Sequence, residues 1–142
     1  MKRIAWLAVI AVALSLVGRV TAQQARPDFS GKWQSEGASL VIKQDLATLT
    51  VADGSETTTY NLNGTETQRQ QTGAKGTSTL TSRVQWVGSA MVVSTTTASP
   101  IGTWQDLDVY SMDYGPKLNV VHVGTQTTMP MMSTKTRTYT RN

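Results

Sequence analysis

Residues 39–51, SLVIKQDLATLTV, contain two short strands and the turn that joins them, and the fold follows from this pattern. The first strand ends at an Asp-containing turn, and the second returns with an apolar residue at every other position. In the returning strand Leu49 and Val51 lie on one face, with Thr48 and Thr50 on the other, because successive strand side chains point to opposite faces. The segment therefore predicts a β-hairpin with one apolar face.

The same unit recurs twice, at residues 85–97, QWVGSAMVVSTTT, and at residues 108–123, DVYSMDYGPKLNVVHV. In each unit a strand ends in a tight turn rich in Asp, Gly or Ser, and the next strand again alternates. Met91 and Val93, for example, oppose Val92. Repeated units of this kind predict the successive hairpins of an antiparallel meander.

The remainder of the chain has the same character, since no apolar residues recur at helical spacing. The predicted strands are Gly31 to Glu36, Ser39 to Gln44, Thr48 to Ala52, Thr57 to Leu62, Thr77 to Val87, Met91 to Thr97, Thr103 to Met112, Lys117 to Val123 and Thr134 to Arg141. Arg69 to Thr77 is the longest polar stretch, and we interpret it as a loop between halves. The pattern is typical of a sandwich or an up-and-down barrel, and we expect a barrel of about eight or nine strands in a single domain, residues 23–142.

Residues 1–22 have the features of a signal peptide. Lys2 and Arg3 precede a small and apolar run from Ile4 to Val17, and small residues follow at a plausible cleavage site. The run is shorter than the roughly 20 residues that cross a bilayer, so we expect no membrane insertion. Without residues 1–22 the net charge is +1, which gives no reason to expect nucleic-acid binding. The chain has no cysteine, so a lipid anchor is excluded, and a periplasmic or secreted location is expected.

The stretch FSGKW, residues 29–33, resembles the Gly-X-Trp signature on the first strand of the lipocalin and calycin superfamily. The resemblance implies a closed antiparallel barrel with a lumen for small, mostly apolar ligands. It also implies that Trp33 plugs one end, with Gly31 allowing close backbone approach and a basic residue of the last strand lying on the indole ring. The candidates for that residue are Arg137 and Arg141, which share a face with Lys135 and Tyr139.

The wider sequence also resembles a group of bacterial secreted proteins that begin with DFSGKW and continue with a hairpin like LVIKQDLATLTV. This resemblance implies export but no particular function. A third resemblance is to the biotin-binding avidins, through the segments SGKW, VQW and GTW. The avidin site uses a late aspartate that the segment GTQTTMPMMSTK lacks, so biotin binding is not expected.

Residues with chemical potential are few. His122 is the sole histidine, so a histidine metal cluster is excluded, and we interpret it as an interior or rim residue; a pH-sensitive or ligand-contacting role is the alternative. Asp106 and Asp108 point the same way from one strand, about 6 to 7 Å apart. Although that spacing could suit a paired-carboxylate glycosidase, the alternation with Leu107 and Val109 predicts that both carboxylates face solvent.

The segment TTMPMM contains Met129, Met131 and Met132, whose thioethers are soft ligands of the kind that Cu(I) prefers. Methionine also commonly fills gaps in cores or in hydrophobic loops, and we favour that interpretation over a metal site. No metal or other cofactor is therefore expected.

Three aromatic side chains, Tyr60, Trp86 and Trp104, are the best candidates to line a lumen. We expect an exported, non-catalytic barrel that binds a small apolar or amphipathic ligand. The alternative is a barrel with a filled interior that acts through its surface, by binding or inhibiting another protein. An enzyme is not expected, because no set of acid, base and nucleophile converges.

Overall fold

The structure is a computed structural model that describes residues 25–126 and 129–142, with the side chains of residues 129–131 left out of that description. The predicted signal peptide, residues 1–22, lies outside the described residues. The strands are β1 (Gly31–Ser35), β2 (Ala38–Gln44), β3 (Thr48–Asp53), β4 (Glu56–Asn61), β5 (Thr67–Gly73), β6 (Gly76–Val87), β7 (Ala90–Ser99), β8 (Gly102–Asp113), β9 (Lys117–Gln126) and β10 (Met129–Arg141). Within the described ranges no helix is long and apolar enough to cross a membrane.

The ten strands form one antiparallel sheet in the order β4-β3-β2-β1-β10-β9-β8-β7-β6-β5. Nearly every strand pairs with its neighbours along the chain, and β1 pairs with β10, so that Trp33 stands opposite Arg141. The sheet curls into a nearly closed barrel, with β4 and β5 on the two sides of the remaining seam. The predicted all-β meander is confirmed, with ten strands in place of the eight or nine expected.

The additional strand is β5, which occupies part of the segment predicted to be a loop. Thr67–Gly73 pairs with β6 along its whole length, and only Ala74 and Lys75 form the turn. The prediction of a loop from Arg69 to Thr77 was wrong because the strand, TQRQQTG, has no apolar residue and so no alternation to detect. Backbone hydrogen bonds to β6 hold it in place, and a polar strand is well suited to a sheet edge.

The seam between β4 and β5 is bridged by side chains. Arg69 forms a salt bridge with Glu56 across it. Nearer the end of β4, the backbone N–H of Asn61 donates a hydrogen bond of 3.3 Å to Thr67 Oγ1. In the part of the chain that the structure describes, these strands share no backbone ladder, so the barrel is closed at this point mainly by polar side chains.

The barrel interior has an apolar part and a polar part. The buried apolar core consists of Phe29, Trp33, Leu40, Ile42, Leu49, Val51, Leu62, Val84, Met91, Val93, Tyr110, Leu118 and Tyr139. Phe29 comes from the segment before β1, and its ring centroid lies 6.0 Å from that of Trp86 and 6.2 Å from that of Tyr110. This segment is anchored by Gln44, whose Oε1 accepts from the Phe29 N–H at 3.0 Å and whose Nε2 donates to the Pro27 carbonyl at 3.1 Å.

Candidate functional site

The Gly-X-Trp stretch forms a structural contact between the first and last strands. Trp33 is fully buried, and its indole Nε1 donates to the Phe29 carbonyl at 2.9 Å. The guanidinium carbon of Arg141 lies 4.7 Å from the Trp33 ring centroid, and Arg141 Nη2 donates to the Ser30 carbonyl at 2.9 Å. Of the two arginines suggested by the lipocalin resemblance, Arg141 is therefore the one that lies on the ring.

Gly31 is needed at this contact for two reasons. Its φ angle of 149° is rarely adopted by residues with a side chain. A Cβ at this position would also lie 3.2 Å from Arg141 Nε and 3.5 Å from the Trp33 indole nitrogen. The glycine thus lets the backbone pass close to the stacked pair.

Arg137 is placed differently, in the wall of an interior cavity of about 310 Å³. The lining residues are Leu40, Val51, Asp53, Glu56, Thr58, Tyr60, Arg69, Asp108, Tyr110, Val120, His122, Lys135, Arg137 and Tyr139. The walls thus combine aliphatic side chains, three phenol rings and charged groups of both signs. This cavity is the candidate functional site.

Strand alternation and register bring the charged groups together on three adjacent strands. Asp108 of β8 stands opposite His122 of β9, which stands opposite Lys135 of β10. Because every second residue of a strand faces the lumen, the side chains two positions along these strands, Tyr110, Val120 and Arg137, lie on the same inner surface. Half of the fourteen lining residues therefore belong to the inner faces of β8, β9 and β10, and the other half belong to β2, β3, β4 and β5.

The prediction that both carboxylates face solvent was wrong for Asp108, whereas Asp106 is half-buried and does not line the cavity. The apolar neighbour Leu107 is the exposed residue, with 43% of its surface accessible, and Asp108 lines the cavity. Alternation identifies two faces of a strand, and the usual rule assigns the apolar one to the interior. The rule fails here because this part of the interior is polar.

His122 connects the two aspartates. Its Nδ1 lies 2.8 Å from Asp108 Oδ1, and its Nε2 lies 3.7 Å from Asp106 Oδ1. Burial raises the pKa of the Asp106 carboxyl, an effect that His122 opposes and Asp108 reinforces. Gly124 leaves room for the group, since a Cβ there would lie 3.1 Å from Asp106 Oδ1 and 3.4 Å from His122 Nε2.

Two phenol groups of the cavity, those of Tyr60 and Tyr110, are held in the neutral form. Burial raises the pKa of Tyr60 and of Tyr110 above the ordinary value near 10, and the charge of Asp108 raises both further. The two hydroxyls therefore act as uncharged hydrogen-bonding groups at neutral pH. Tyr60, predicted from the sequence to line a lumen, lies in the wall of this cavity.

The other two predicted lining residues lie elsewhere. The Trp86 ring stacks on Phe29, and the guanidinium carbon of Arg26 lies 5.1 Å from the Trp86 ring centroid. Trp86 also borders a shallow surface groove. Trp104 lies beside the turn between β5 and β6. The prediction that Trp86 and Trp104 line one lumen with Tyr60 is corrected, because alternation gives the face of a residue and not its height along the barrel.

Three charged groups of the cavity were not identified from the sequence, whereas Asp108, His122, Lys135 and Arg137 were named there. Asp53, Glu56 and Arg69 were not recognised, although Glu56 and Arg69 occupy inward positions of their strands. Arg69 Nε is buried and has no hydrogen-bond partner among the described residues. The sequence did contain an indication of a polar interior, because charged residues occupy positions of several strands that alternation assigns to the inner face.

Metal-binding geometry is absent from the described residues, where no three His, Asp or Glu side chains are arranged to hold an ion. The side chains of Met129 and Met131 lie outside the described part of the chain, and that of Met132 is exposed. The Cu(I) hypothesis therefore stays a prediction, and the exposed Met132 side chain does not fill a gap in the core.

Comparison with known proteins adds no relative from which a function could be carried over. No protein-family model matches the sequence, and neither the curated proteins nor the solved structures contain a significantly similar chain.

Proposed function

We propose that this barrel binds a small amphipathic molecule in its interior cavity. The observation that carries the proposal is the cavity itself, about 310 Å³ in volume, with aliphatic, phenolic and charged groups around one space. Ligand sites in proteins span about 300 to 1,000 Å³ and are concave, with a few polar groups that fix orientation. The size favours a ligand smaller than an ordinary drug molecule.

The chemistry of the walls favours an amphipathic ligand over a purely apolar one. Leu40, Val51 and Val120 offer apolar contacts, whereas Lys135 and Arg137 carry charge. An apolar ligand would displace water from beside the charged groups without replacing its hydrogen bonds, which is unfavourable. A ligand with one polar end avoids that cost.

We propose binding without catalysis. The Nδ1 of the sole histidine lies 2.8 Å from Asp108 Oδ1 and its Nε2 lies 3.7 Å from Asp106 Oδ1, and among the described residues no hydroxyl forms a hydrogen bond with either nitrogen. With residues 1–22 interpreted as a signal peptide, binding would occur in the periplasm or outside the cell. A barrel that acts through its outer surface is the rival function.

Native mass spectrometry of the protein purified from its own host tests the proposal. We expect a small-molecule adduct on the wild type that is absent from Val120→Phe, because a ring at this position fills the cavity. Val121→Phe is the matched control, since its side chain points away from the cavity on the same strand. Circular dichroism must show both variants folded.

An equal adduct on wild type and Val120→Phe would place the ligand outside the cavity. Wild-type protein without any adduct, even under gentle ionisation, would favour the surface-acting barrel.

A further inference from the structure

Most acidic groups of the cavity have partners within the protein, whereas several hydrogen-bond donors do not. From this difference we infer that the ligand carries a carboxylate, bound by Lys135 and Arg137. The inference rests on the proposed function and specifies the ligand class. Both cations belong to the inner face of β10, two residues apart, which places their Cα atoms roughly 6 to 7 Å from each other.

Most of the acidic groups of the cavity already have partners. Glu56 accepts from Arg69 across the seam, and Asp108 pairs with His122. The third carboxylate, Asp53, is exposed and has no partner among the described residues; together with Arg137 it also borders a second groove. Two of the three carboxylates in the cavity are thus engaged by the protein.

Several hydrogen-bond donors of the cavity, in contrast, have no acceptor within the protein. Among the described residues, the exposed Lys135 and the half-buried Arg137 form neither a salt bridge nor a side-chain hydrogen bond, although an ammonium has three donors and a guanidinium five. Arg69 Nε, in the same cavity wall, is buried and also lacks an acceptor. The cavity therefore has a surplus of donors, and a ligand that supplies acceptor oxygens complements it.

The shape of the site defines the rest of the ligand. Val120 stands opposite Arg137 across β9 and β10, and Leu40 and Tyr139 provide further apolar surface in the same space. Together with the small volume, this fits a short carboxylic acid with an aromatic or aliphatic body. A carboxylate on a guanidinium gains charge-assisted hydrogen bonds, which are about twice as strong as neutral ones.

Isothermal titration calorimetry with three ligands of one skeleton tests the inference: 3-phenylpropanoate, 3-phenylpropan-1-ol and 3-phenylpropylammonium. We expect the wild type to bind the carboxylate at least about tenfold more tightly than the alcohol, because the alcohol lacks the charge-assisted hydrogen bonds. The ammonium should bind most weakly. In Lys135→Met/Arg137→Met the preference for the carboxylate should disappear while the affinity for the alcohol is retained.

Lys43→Met/Arg83→Met is the matched control, since it removes two exposed cations from β2 and β6 and changes the net charge equally. It should keep the wild-type preference. If the cavity double variant does not fold, Lys135→Gln alone serves, because Lys135 is exposed, and it should reduce the preference.

A carboxylate that binds no more tightly than the alcohol would overturn the inference, as would a preference that survives in Lys135→Met/Arg137→Met. Failure of all three ligands to bind would also overturn it. The proposed function is tested separately, because native mass spectrometry of the wild type and Val120→Phe detects a ligand of any chemical class.

Discussion

Replacing Trp33 by alanine is expected to lower the free energy of unfolding by about 3 to 5 kcal/mol, the range for large buried aromatic residues. The side chain is fully buried, donates a hydrogen bond to the Phe29 carbonyl and lies under Arg141. Its removal would leave a cavity where β1 and β10 meet. Guanidinium chloride melts followed by circular dichroism measure the change.

The variant Arg141→Met separates the stacking from the burial. It retains an aliphatic stem but loses the cation–π contact, worth about 0.5 to 2 kcal/mol, and the bond to the Ser30 carbonyl. We therefore expect a smaller loss than for Trp33→Ala. A loss below about 1 kcal/mol for Trp33→Ala, typical of surface changes, would contradict the structural role of the opening strand.

Replacing Trp86 by alanine is expected to cost about 2 to 4 kcal/mol of unfolding free energy without weakening ligand binding in the cavity. Trp86 packs on Phe29 and Arg26, and it is absent from the cavity wall. The loss should be smaller than for Trp33 because Trp86 is only half-buried. Denaturant melts and calorimetry with 3-phenylpropanoate measure the two quantities.

Val87→Ala is a suitable control for Trp86→Ala, because the neighbouring side chain is 66% exposed and its truncation should change stability by less than about 0.5 kcal/mol. If Trp86→Ala abolished binding while leaving stability unchanged, Trp86 would line the ligand site after all.

Most of the strands that the sequence predicted contain apolar residues at alternate positions. The hairpin at residues 39–51 has this pattern, and it forms β2 and β3 in the structure. β5 could not be found in this way, because its stability comes from backbone pairing with β6 and from polar contacts at the seam. Closure of the sheet through β1 and β10 depends on long-range pairing, which local patterns do not encode.

The site was less accessible to sequence reasoning than the fold. Alternation placed Lys135, Arg137 and Tyr139 on one face correctly, but it could not say that this face lines a polar cavity. The same rule predicted that Asp106 and Asp108 face solvent, because it assumes that the interior is apolar. The pairing of His122 with Asp108 depends on the register of β8 and β9, which becomes visible only once the strands are assembled.

The most direct test of the cavity as a binding site uses the sole histidine as a reporter. In protein without a histidine tag, the imidazole of His122 gives one set of NMR signals, and it lies in the cavity wall. Titration with 3-phenylpropanoate is predicted to shift these signals saturably, with the dissociation constant found by calorimetry. Saturable binding that leaves the His122 signals unchanged, with amide shifts confined to the outer surface, would contradict the account.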